Sequence, residues 1–467
     1  MINSHIANLI ETNLGFTPTT DQIKLINGLA DFIVDFNTDI FLLKGYAGTG
    51  KTSVMAALVQ SLQTFKINTV LLAPTGRAAK VLSSYSHKSA FTIHKKIYRQ
   101  KSIDEMASFS IAPNFYKDTI FIVDEASMIS GTSYEQSLFG TGDLLEDLMH
   151  YVKSGTRCKV IIVGDSAQLP PVGFSLSPAL DVTRLQCYGK VKDIELKEVV
   201  RQTNESGILY NATKIRKQIE TNDIRLPKFD MEEFPDIVSI SGGELIETLS
   251  DAYSEYGNDE TIIICRSNKR ANKYNEGVRS RVFYMEDEIV TGDKIMMVKN
   301  NYQNLKDIEE IDFIANGDMA TVRRIRKYHE RYGLHFADMV IELDDYNNIE
   351  IESKVILDTL SMETASLPAE TNKELFYTLA EDYANITDKK KRFSAIKDDP
   401  FFNALQIKFA YAVTCHKSQG GQWKCVFLDC PYFKDNEVTY EDLRWFYTAL
   451  TRASKKLYLV NFSEEYF

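Results

Sequence analysis

The segment Gly45-Tyr-Ala-Gly-Thr-Gly-Lys51-Thr52 decides the fold. It follows the apolar run Asp39-Ile-Phe-Leu-Leu-Lys44 and leads into Thr52-Ser-Val-Met-Ala-Ala-Leu58, which has the character of a helix. A strand, a turn of the pattern G-x-x-x-x-G-K-[ST] and a helix together form a P-loop. Glycines let the backbone wrap phosphates, and the helix N-terminus favours their negative charge. The segment therefore predicts a nucleoside-triphosphate site on an α/β fold.

Each position of this loop has an expected role. Lys51 is expected to reach the β- and γ-phosphates, and the Thr52 hydroxyl to hold Mg²⁺. The backbone of the loop is expected to enclose the phosphates. The cofactors predicted are therefore ATP and Mg²⁺, and the loop residues predicted to bind them are Gly45, Ala47, Gly48, Thr49, Gly50, Lys51 and Thr52.

Polar side chains follow two more strand-like runs. Thr119-Ile-Phe-Ile-Val123 ends in Asp124 and Glu125. Asp124 is predicted to bind Mg²⁺ and Glu125 to act as the general base that polarises the attacking water. Lys159-Val-Ile-Ile-Val-Gly164 ends in a turn that carries Gln168, which we expect to sense the γ-phosphate. With the P-loop, these carboxylates predict hydrolysis of ATP.

Short runs of branched apolar residues alternate with amphipathic segments in the first half of the chain. This pattern is typical of a parallel sheet covered on both faces. A second α/β domain is predicted by four similar runs, at 261–265, 294–298, 425–429 and 456–461. A small antiparallel β unit is predicted by the runs 319–324, 338–343 and 350–356, and 369–397 is polar and helical.

Composition narrows the classes further. A chain of 467 residues with 44% hydrophobic residues predicts several domains with a large core. The net charge of −11 excludes a nucleic-acid binder that is basic over its whole surface, although a local groove could still be positive. No apolar run is long enough to span a membrane and no signal peptide is apparent, so we expect a cytoplasmic protein. The six cysteines lack C-x-x-C spacing, which predicts free thiols.

Further segments complete a pattern that resembles the RecD-like group of superfamily 1 helicases over most of the chain. In chain order they are Phe16-Thr-Pro-Thr-Thr-Asp-Gln22, Ala73-Pro-Thr-Gly-Arg-Ala-Ala-Lys80, Thr92-Ile-His94, Val199-Val-Arg-Gln202, Asn316-Gly-Asp318, Thr414-Cys-His-Lys-Ser-Gln-Gly420 and Tyr447-Thr-Ala-Leu-Thr-Arg-Ala453. The resemblance implies two RecA-like P-loop domains with ATP at their interface.

The resemblance also implies a division of the chain. The first RecA-like domain (1A) would comprise residues 1–85 and 118–197, interrupted at 86–117 by an insertion (1B) with a strand-separating hairpin. The second (2A) would comprise residues 198–316 and 401–467. It would be interrupted at 317–400 by an SH3-like β insertion (2B) closed by a helical arm, although the polar stretch could instead be a solvated extension.

Roles for further residues follow from the same resemblance. Gln22 would read the adenine, while Arg201 and Arg452 would place positive charge on the γ-phosphate from the second domain. Phe109 would be an aromatic residue at the tip of the hairpin. The residues implied to contact DNA along the single strand are Thr75, Arg77, His94, Thr414, His416, Lys417 and Ser418.

The predicted function is that of an ATP-dependent DNA helicase that moves 5′ to 3′ on single-stranded DNA and unwinds duplex. Alternatives are an RNA helicase of the same superfamily, a DNA-stimulated translocase or ATPase subunit without unwinding, and a non-motor P-loop switch. The implied partners are single-stranded DNA, junctions of single and double strands, and proteins of replication or recombination. We expect a monomer, and the sequence does not choose between replication, recombination and repair.

Overall fold

The structure is a computed structural model that describes residues 2–100, 109–131, 140–199, 206–301, 314–346, 348–433 and 437–467. Its strands form two parallel sheets, a closed barrel and a two-stranded hairpin. The predicted fold class, α/β with two P-loop-type domains and a small β insertion, is confirmed. Within these ranges no helix combines the length and apolar character needed to cross a membrane.

The first sheet has six strands in the order β3-β2-β6-β7-β1-β8, with every neighbouring pair parallel. The strands of this half are β1 (Ile40–Gly45), β2 (Asn68–Ala73), β3 (Ala90–Thr92), β4 (Tyr98–Gln100), β5 (Phe109–Ile111), β6 (Thr119–Val123), β7 (Lys159–Gly164) and β8 (Val191–Leu196). The helices are α1 (Ile2–Leu14), α2 (Thr20–Val34), α3 (Lys51–Thr64), α4 (Gly76–Ser86), α5 (Ile93–Ile97), α6 (Leu144–Ser154) and α7 (Val182–Gln186).

Alternating side chains of β1 enter two separate cores. Phe41 and Leu43 pack with residues of α1, α2 and α3, whereas Ile40 and Leu42 pack with residues of α5 and α6. Both faces of the strand are therefore buried, which explains its continuous apolar sequence. The strand order places the carboxyl ends of β6, β7 and β1 side by side at one edge of the sheet.

The second sheet has five parallel strands in the order β16-β10-β17-β18-β9. Its strands are β9 (Ile237–Ile240), β10 (Thr261–Cys265), β16 (Ala412–Thr414), β17 (Trp423–Asp429) and β18 (Ala453–Val460). The helices of this half of the chain are α8 (Gly207–Thr221), α9 (Leu245–Tyr256), α10 (Asn268–Arg281), α11 (Ala369–Asp382), α12 (Lys389–Lys397), α13 (Cys415–Ser418) and α14 (Tyr440–Leu450).

The closed barrel is larger than the insertion predicted for 317–400. Its strands are β11 (Lys294–Met297), β12 (Met319–Arg331), β13 (Leu334–Leu343), β14 (Ile349–Ile356) and β15 (Leu405–Phe409). The assignment of 294–298 to the second parallel sheet is therefore wrong. Ile295 points into the barrel core and Met296 packs against the core of the second sheet. A strand buried on both faces has the same continuous apolar sequence in either setting.

The helical segment after the barrel strands packs onto the barrel. Leu375 and Leu379 of α11 and Ile396 of α12 are buried together with Phe336 and Ile356 of the barrel. This packing favours the arm over the solvated extension.

The hairpin of the first half consists of β4 and β5, which pair antiparallel with Gln100 opposite Phe109. The loop that joins them, 101–108, lies outside the described residues. Phe109 is half-buried against the core of the first sheet, and its carbonyl oxygen accepts a hydrogen bond from the Gly140 amide at 2.9 Å. The expectation that Phe109 lies at the hairpin tip is therefore corrected: it is a strand residue next to the loop.

Candidate functional site

The P-loop connects the end of β1 to the start of α3. Gly48 and Gly50 have φ angles of 78° and 82°, in the left-handed region that favours glycine. A Cβ atom on Gly48 would also lie 3.1 Å from the side chain of Val199. The helix begins at Lys51, and its N-cap residue Gly50 has no side chain to cap it, so the first amide groups remain available to an anion. The loop has the geometry of a phosphate cradle.

Lys51 and Gln22 hold this loop from its two sides. The Lys51 ammonium donates hydrogen bonds to the carbonyl oxygens of Gly45 (2.6 Å) and Tyr46 (2.9 Å). The Gln22 amide donates to the carbonyl oxygen of Thr49 at 3.1 Å, and its oxygen accepts from the Thr19 amide at 3.0 Å. Gln22 is fully buried and does not line the cleft, and its contact with adenine stays a prediction.

The two carboxylates follow β6, next to the P-loop edge of the sheet. Burial, then the neighbouring Glu125, raises the pKa of Asp124 to about 6, while Lys51 opposes the rise. The Asp124 side chain accepts a hydrogen bond from the Glu125 amide at 2.8 Å. Glu125 has a φ of 53°, a backbone conformation that costs about 1–3 kcal/mol in a residue other than glycine. Such conformations cluster at active sites.

Gln168 and Asp165 lie at the end of β7, between the other two strand ends. The Gln168 side chain is buried, and its Oε1 has no hydrogen-bond partner among the described residues. Asp165 accepts a hydrogen bond from the Ala167 amide at 2.9 Å. A buried amide oxygen without a partner is costly unless a ligand or water satisfies it. Gln168 is therefore suited to contact a bound group.

One cleft of about 390 Å³ joins these groups to the second half of the chain. From the first sheet it receives Lys51, Thr52, Asp124, Glu125 and Gln168. From the second half it receives Ile208, Leu209, Gln422, Thr451, Arg452, Ala453 and Ser454. The predicted catalytic groups therefore meet in one cleft between the two sheets, apart from Arg201, which lies outside the described residues. Of the residues predicted to bind the nucleotide, Gln22, Gly45 and Thr49 do not line it.

Arg452 reaches this cleft from the end of α14. Its side chain is buried, and the guanidinium donates to the carbonyl oxygens of Thr448 (3.0 Å) and Gly421 (3.1 Å) and to the Thr451 hydroxyl (3.2 Å). These bonds fix the direction of the guanidinium from within its own half of the chain.

Hydrogen bonds across the cleft involve residues to which the sequence analysis gave no role. The Tyr447 hydroxyl accepts from the Ala47 amide of the P-loop (2.8 Å) and donates to Asp165 Oδ2 (2.7 Å). The Thr448 hydroxyl accepts from the Leu169 amide at 2.9 Å, and the Gln419 amide donates to the Leu169 carbonyl oxygen at 2.7 Å. Tyr447, Thr448 and Gln419 all lie within the segments 414–420 and 447–453, which carry the family resemblance. That resemblance was the feature of the sequence that could have pointed to them.

Thr75 and Arg77, predicted to contact DNA, lie at the start of α4. The Thr75 hydroxyl caps the helix by accepting from the Ala78 amide at 3.2 Å. The Arg77 guanidinium lies 4.0 Å from the centre of the Trp423 ring in the second half of the chain. Arg77 therefore contributes to the contact between the halves, in addition to any contact with DNA.

The other residues predicted to contact DNA differ in charge and in exposure to solvent. Burial lowers the pKa of His94 to about 4, so its imidazole is neutral at neutral pH. Lys417 donates to the Asn316 side chain of the barrel turn, and burial lowers its pKa to about 8. Ser418 is fully buried and donates to the Cys415 carbonyl oxygen at 2.7 Å, so the structure does not expose it to a strand. Thr414 and His416 remain partly exposed.

Comparisons with known proteins cover most of the chain. Residues 27–226 match the family described as AAA domain, and residues 409–460 match the UvrD-like helicase C-terminal domain. The chain is 25% identical to the ATP-dependent DNA helicase dda of Enterobacteria phage T4, over 90% of this chain and 93% of that protein. It is 24% identical to the ATP-dependent RecD2 DNA helicase of Deinococcus radiodurans, over 90% of this chain and 46% of that protein.

A solved structure also resembles the fold. It is the Pif1 helicase from Bacteroides in complex with ADP-AlF3 and single-stranded DNA, with 15% identity and a TM-score of 0.48, covering 96% of this chain and 92% of that one.

Proposed function

Because the chain belongs to the RecD- and Pif1-like helicases of superfamily 1, we propose that it is an ATP-dependent DNA helicase that translocates 5′ to 3′ on single-stranded DNA. The observation that carries the proposal is the cleft in which Lys51, Asp124 and Glu125 of the first sheet face Arg452 of the second half. A nucleotide site divided between two domains makes hydrolysis depend on their closure. That dependence is what a motor requires.

The residues of the cleft fit ATP with Mg²⁺. The Thr52 hydroxyl and the Asp124 carboxylate both line it, and hard oxygen ligands of this kind suit Mg²⁺. Mg²⁺ is commonly held by only one or two carboxylates together with phosphates and water, so a larger cluster of acidic ligands is not needed. When bound, Mg²⁺ neutralises charge on the phosphates. The raised pKa of Asp124 reflects a half-buried carboxylate beside Glu125 that a cation would stabilise in its charged form.

The side chains of the cleft divide the work of hydrolysis. Lys51 exchanges its bonds to Gly45 and Tyr46 for the phosphates. Glu125 accepts the proton of the attacking water. The Gln168 side chain accepts a hydrogen bond from that water with its Oε1, or donates one to the γ-phosphate with its NH₂ group. Arg452 supplies positive charge to the departing phosphoryl group, and by resemblance Arg201 does the same.

We propose that single-stranded DNA contacts the ends of the other β-strands and the turns of the two halves. Thr75 and His94 would contribute from the first half, and Thr414, His416 and Lys417 from the second. Hydroxyl, imidazole and ammonium groups suit phosphate oxygens. We propose that the protein acts as a monomer on single strands and at junctions.

The test is strand displacement on duplexes that carry a single-stranded tail at either the 5′ or the 3′ end. We expect unwinding of the DNA with a 5′ tail, no unwinding with Lys51→Ala, and ATPase activity that rises with single-stranded DNA. Unwinding from the 3′ tail alone would contradict the direction. ATPase without unwinding on either DNA would favour a translocase, and preference for matched RNA would favour an RNA helicase.

A further inference from the structure

A second cavity, of about 680 Å³, lies beside the hairpin of the first half, away from the nucleotide cleft. It receives cations from α5 and β4 and aromatic rings from the segment after β5 and from α6. The residues that matter for its chemistry are Lys95, Lys96, Arg99, Phe115, Tyr116 and Tyr151. None of the described residues that line it is acidic, although the chain as a whole carries a net charge of −11. Among the described lining residues every charged group is a cation, which suits an anionic partner.

The cavity has one solvent-exposed aromatic ring, Phe115, and one that is packed against the sheet, Tyr116. Phe115 is 78% exposed. Tyr116 packs edge-on against Phe121 of the sheet, with 5.6 Å between ring centres. The Lys96 ammonium lies 5.0 Å from the centre of the Tyr116 ring. Rings interleaved with cations are the arrangement that unpaired bases and their phosphates require.

The backbone that carries these rings is held in place. The Asn114 side chain donates to the Tyr151 carbonyl oxygen of α6 at 2.8 Å and accepts from the Tyr116 amide at 2.9 Å. A preorganised surface loses less conformational entropy when a ligand binds.

The cavity adjoins the proposed strand path at His94, whose ring lies 5.6 Å from that of the lining residue Tyr98, and is separate from the rest of that path. None of its described lining residues belongs to the nucleotide cleft, and neither Thr75 nor the segment from Thr414 to Ser418 lines it. Phe109 of the hairpin does line it. The cavity therefore lies against the element that the family resemblance gives to strand separation, where a displaced strand would leave the junction.

We propose that this cavity binds unpaired bases of the DNA strand that is displaced during unwinding, an inference that rests on the proposed helicase function. Duplex DNA presents mainly phosphates at its surface and offers no free base faces to Phe115 and Tyr116. A single strand offers both. Capture of the displaced strand keeps it from pairing again behind the hairpin.

The experiment compares the affinity of three forks without nucleotide, by fluorescence anisotropy. All carry a 5′ loading tail, and the displaced strand has no arm, a single-stranded arm, or an arm made double-stranded by a complementary oligonucleotide. We expect the wild-type protein to bind the fork with the single-stranded arm about tenfold more tightly than the other two. This is the gain in affinity that the stacking of one base on an aromatic ring provides. The double variant Arg99→Ala with Phe115→Ala should bind all three forks alike.

Matched controls separate this site from general effects. Phe36 is 84% exposed and Arg281 is exposed, and neither lines the cavity, so Phe36→Ala with Arg281→Ala should retain the wild-type preference. The cavity variant should keep wild-type ATPase stimulation by single-stranded DNA. The proposal is overturned if the wild-type protein shows no preference for the single-stranded arm, or if the cavity variant keeps it. Because the assay measures binding, a failure to unwind would count against the proposed function and not against this site.

Discussion

Replacement of Tyr447 by phenylalanine tests whether closure of the cleft drives hydrolysis. The Tyr447 hydroxyl makes two hydrogen bonds to the first half of the chain, at 2.8 Å to the Ala47 amide and at 2.7 Å to Asp165. A bond between neutral groups contributes about 1 kcal/mol, and a bond to a carboxylate about 2 kcal/mol. Their loss, about 3 kcal/mol, corresponds to about a 100-fold shift away from the closed arrangement.

The assay is steady-state ATP hydrolysis at saturating single-stranded DNA, together with thermal unfolding. We expect kcat/KM to fall by about 100-fold, the full shift in the closure equilibrium. The phenylalanine ring keeps its place in the core of the second half, so Tm should fall by no more than the loss of these two hydrogen bonds explains.

Tyr253→Phe is the matched control for this prediction. Tyr253 is also buried, but its hydroxyl has no hydrogen-bond partner in the described part of the chain, so its removal breaks no contact. We expect the Tyr253→Phe variant to hydrolyse ATP like the wild-type protein. If Tyr447→Phe also did so, the reasoning that links these bonds to closure would be refuted.

Three further predictions concern the cleft and the hairpin. Glu125→Gln should lower kcat by about 10²- to 10⁴-fold, the usual contribution of a general base, with nucleotide affinity measured by equilibrium binding unchanged; a matching loss of affinity would argue for a binding role. Without nucleotide and Mg²⁺, the raised pKa of Asp124 means that its contribution to stability is fully present below its ordinary pKa of 3.8 and is lost as the pH rises through about 6. Denaturant unfolding should therefore show the wild-type protein losing stability relative to Asp124→Asn between pH 4 and 7, and parallel pH profiles would contradict this assignment. Phe109→Ala should slow unwinding and leave DNA-stimulated ATPase nearly intact, whereas equal loss of both would point to a defect in the first domain as a whole.

The nucleotide half of the site was predictable because its chemistry is local. A strand, a glycine-rich turn and Lys51-Thr52 fall within one short segment, and the spacing alone dictates the loop. Asp124 and Glu125 needed only the expectation that parallel strands end at one edge. Their catalytic roles stay predictions.

The sequence around Gln22 also predicts a structural role for this residue, as part of a helix cap. Thr19 and Gln22 have the S/T-x-x-E/Q spacing of a capping box, and in the structure the two residues cap α2 reciprocally. These bonds use one N–H group and one lone pair of the Gln22 side chain, which leaves a second N–H and a second lone pair, and its contact with adenine stays a prediction.

Other features depend on contacts that sequence spacing does not encode. The strand at Lys294–Met297 has the apolar pattern of a parallel-sheet strand because barrel and sheet cores bury its two faces. The bond from Ala47 to Tyr447 joins residues 400 positions apart. Only packing of the two halves brings such groups together.

Two turns of the barrel, at Asn316–Asp318 and at Tyr346, connect it to α4 of the first half and to the Lys417 turn of the second. Asn316 accepts a hydrogen bond from Lys417 of the second half, and Asp318 accepts one from Tyr346 at 2.8 Å. A Cβ atom on Gly76, at the start of α4, would lie 2.9 Å from the Tyr346 hydroxyl and 3.0 Å from Asp318. Because the barrel touches both α4 and the Lys417 turn, the two halves cannot separate without breaking one of these contacts. The missing side chain of Gly76 makes room for this approach, so a larger residue there would hold α4 away from the barrel.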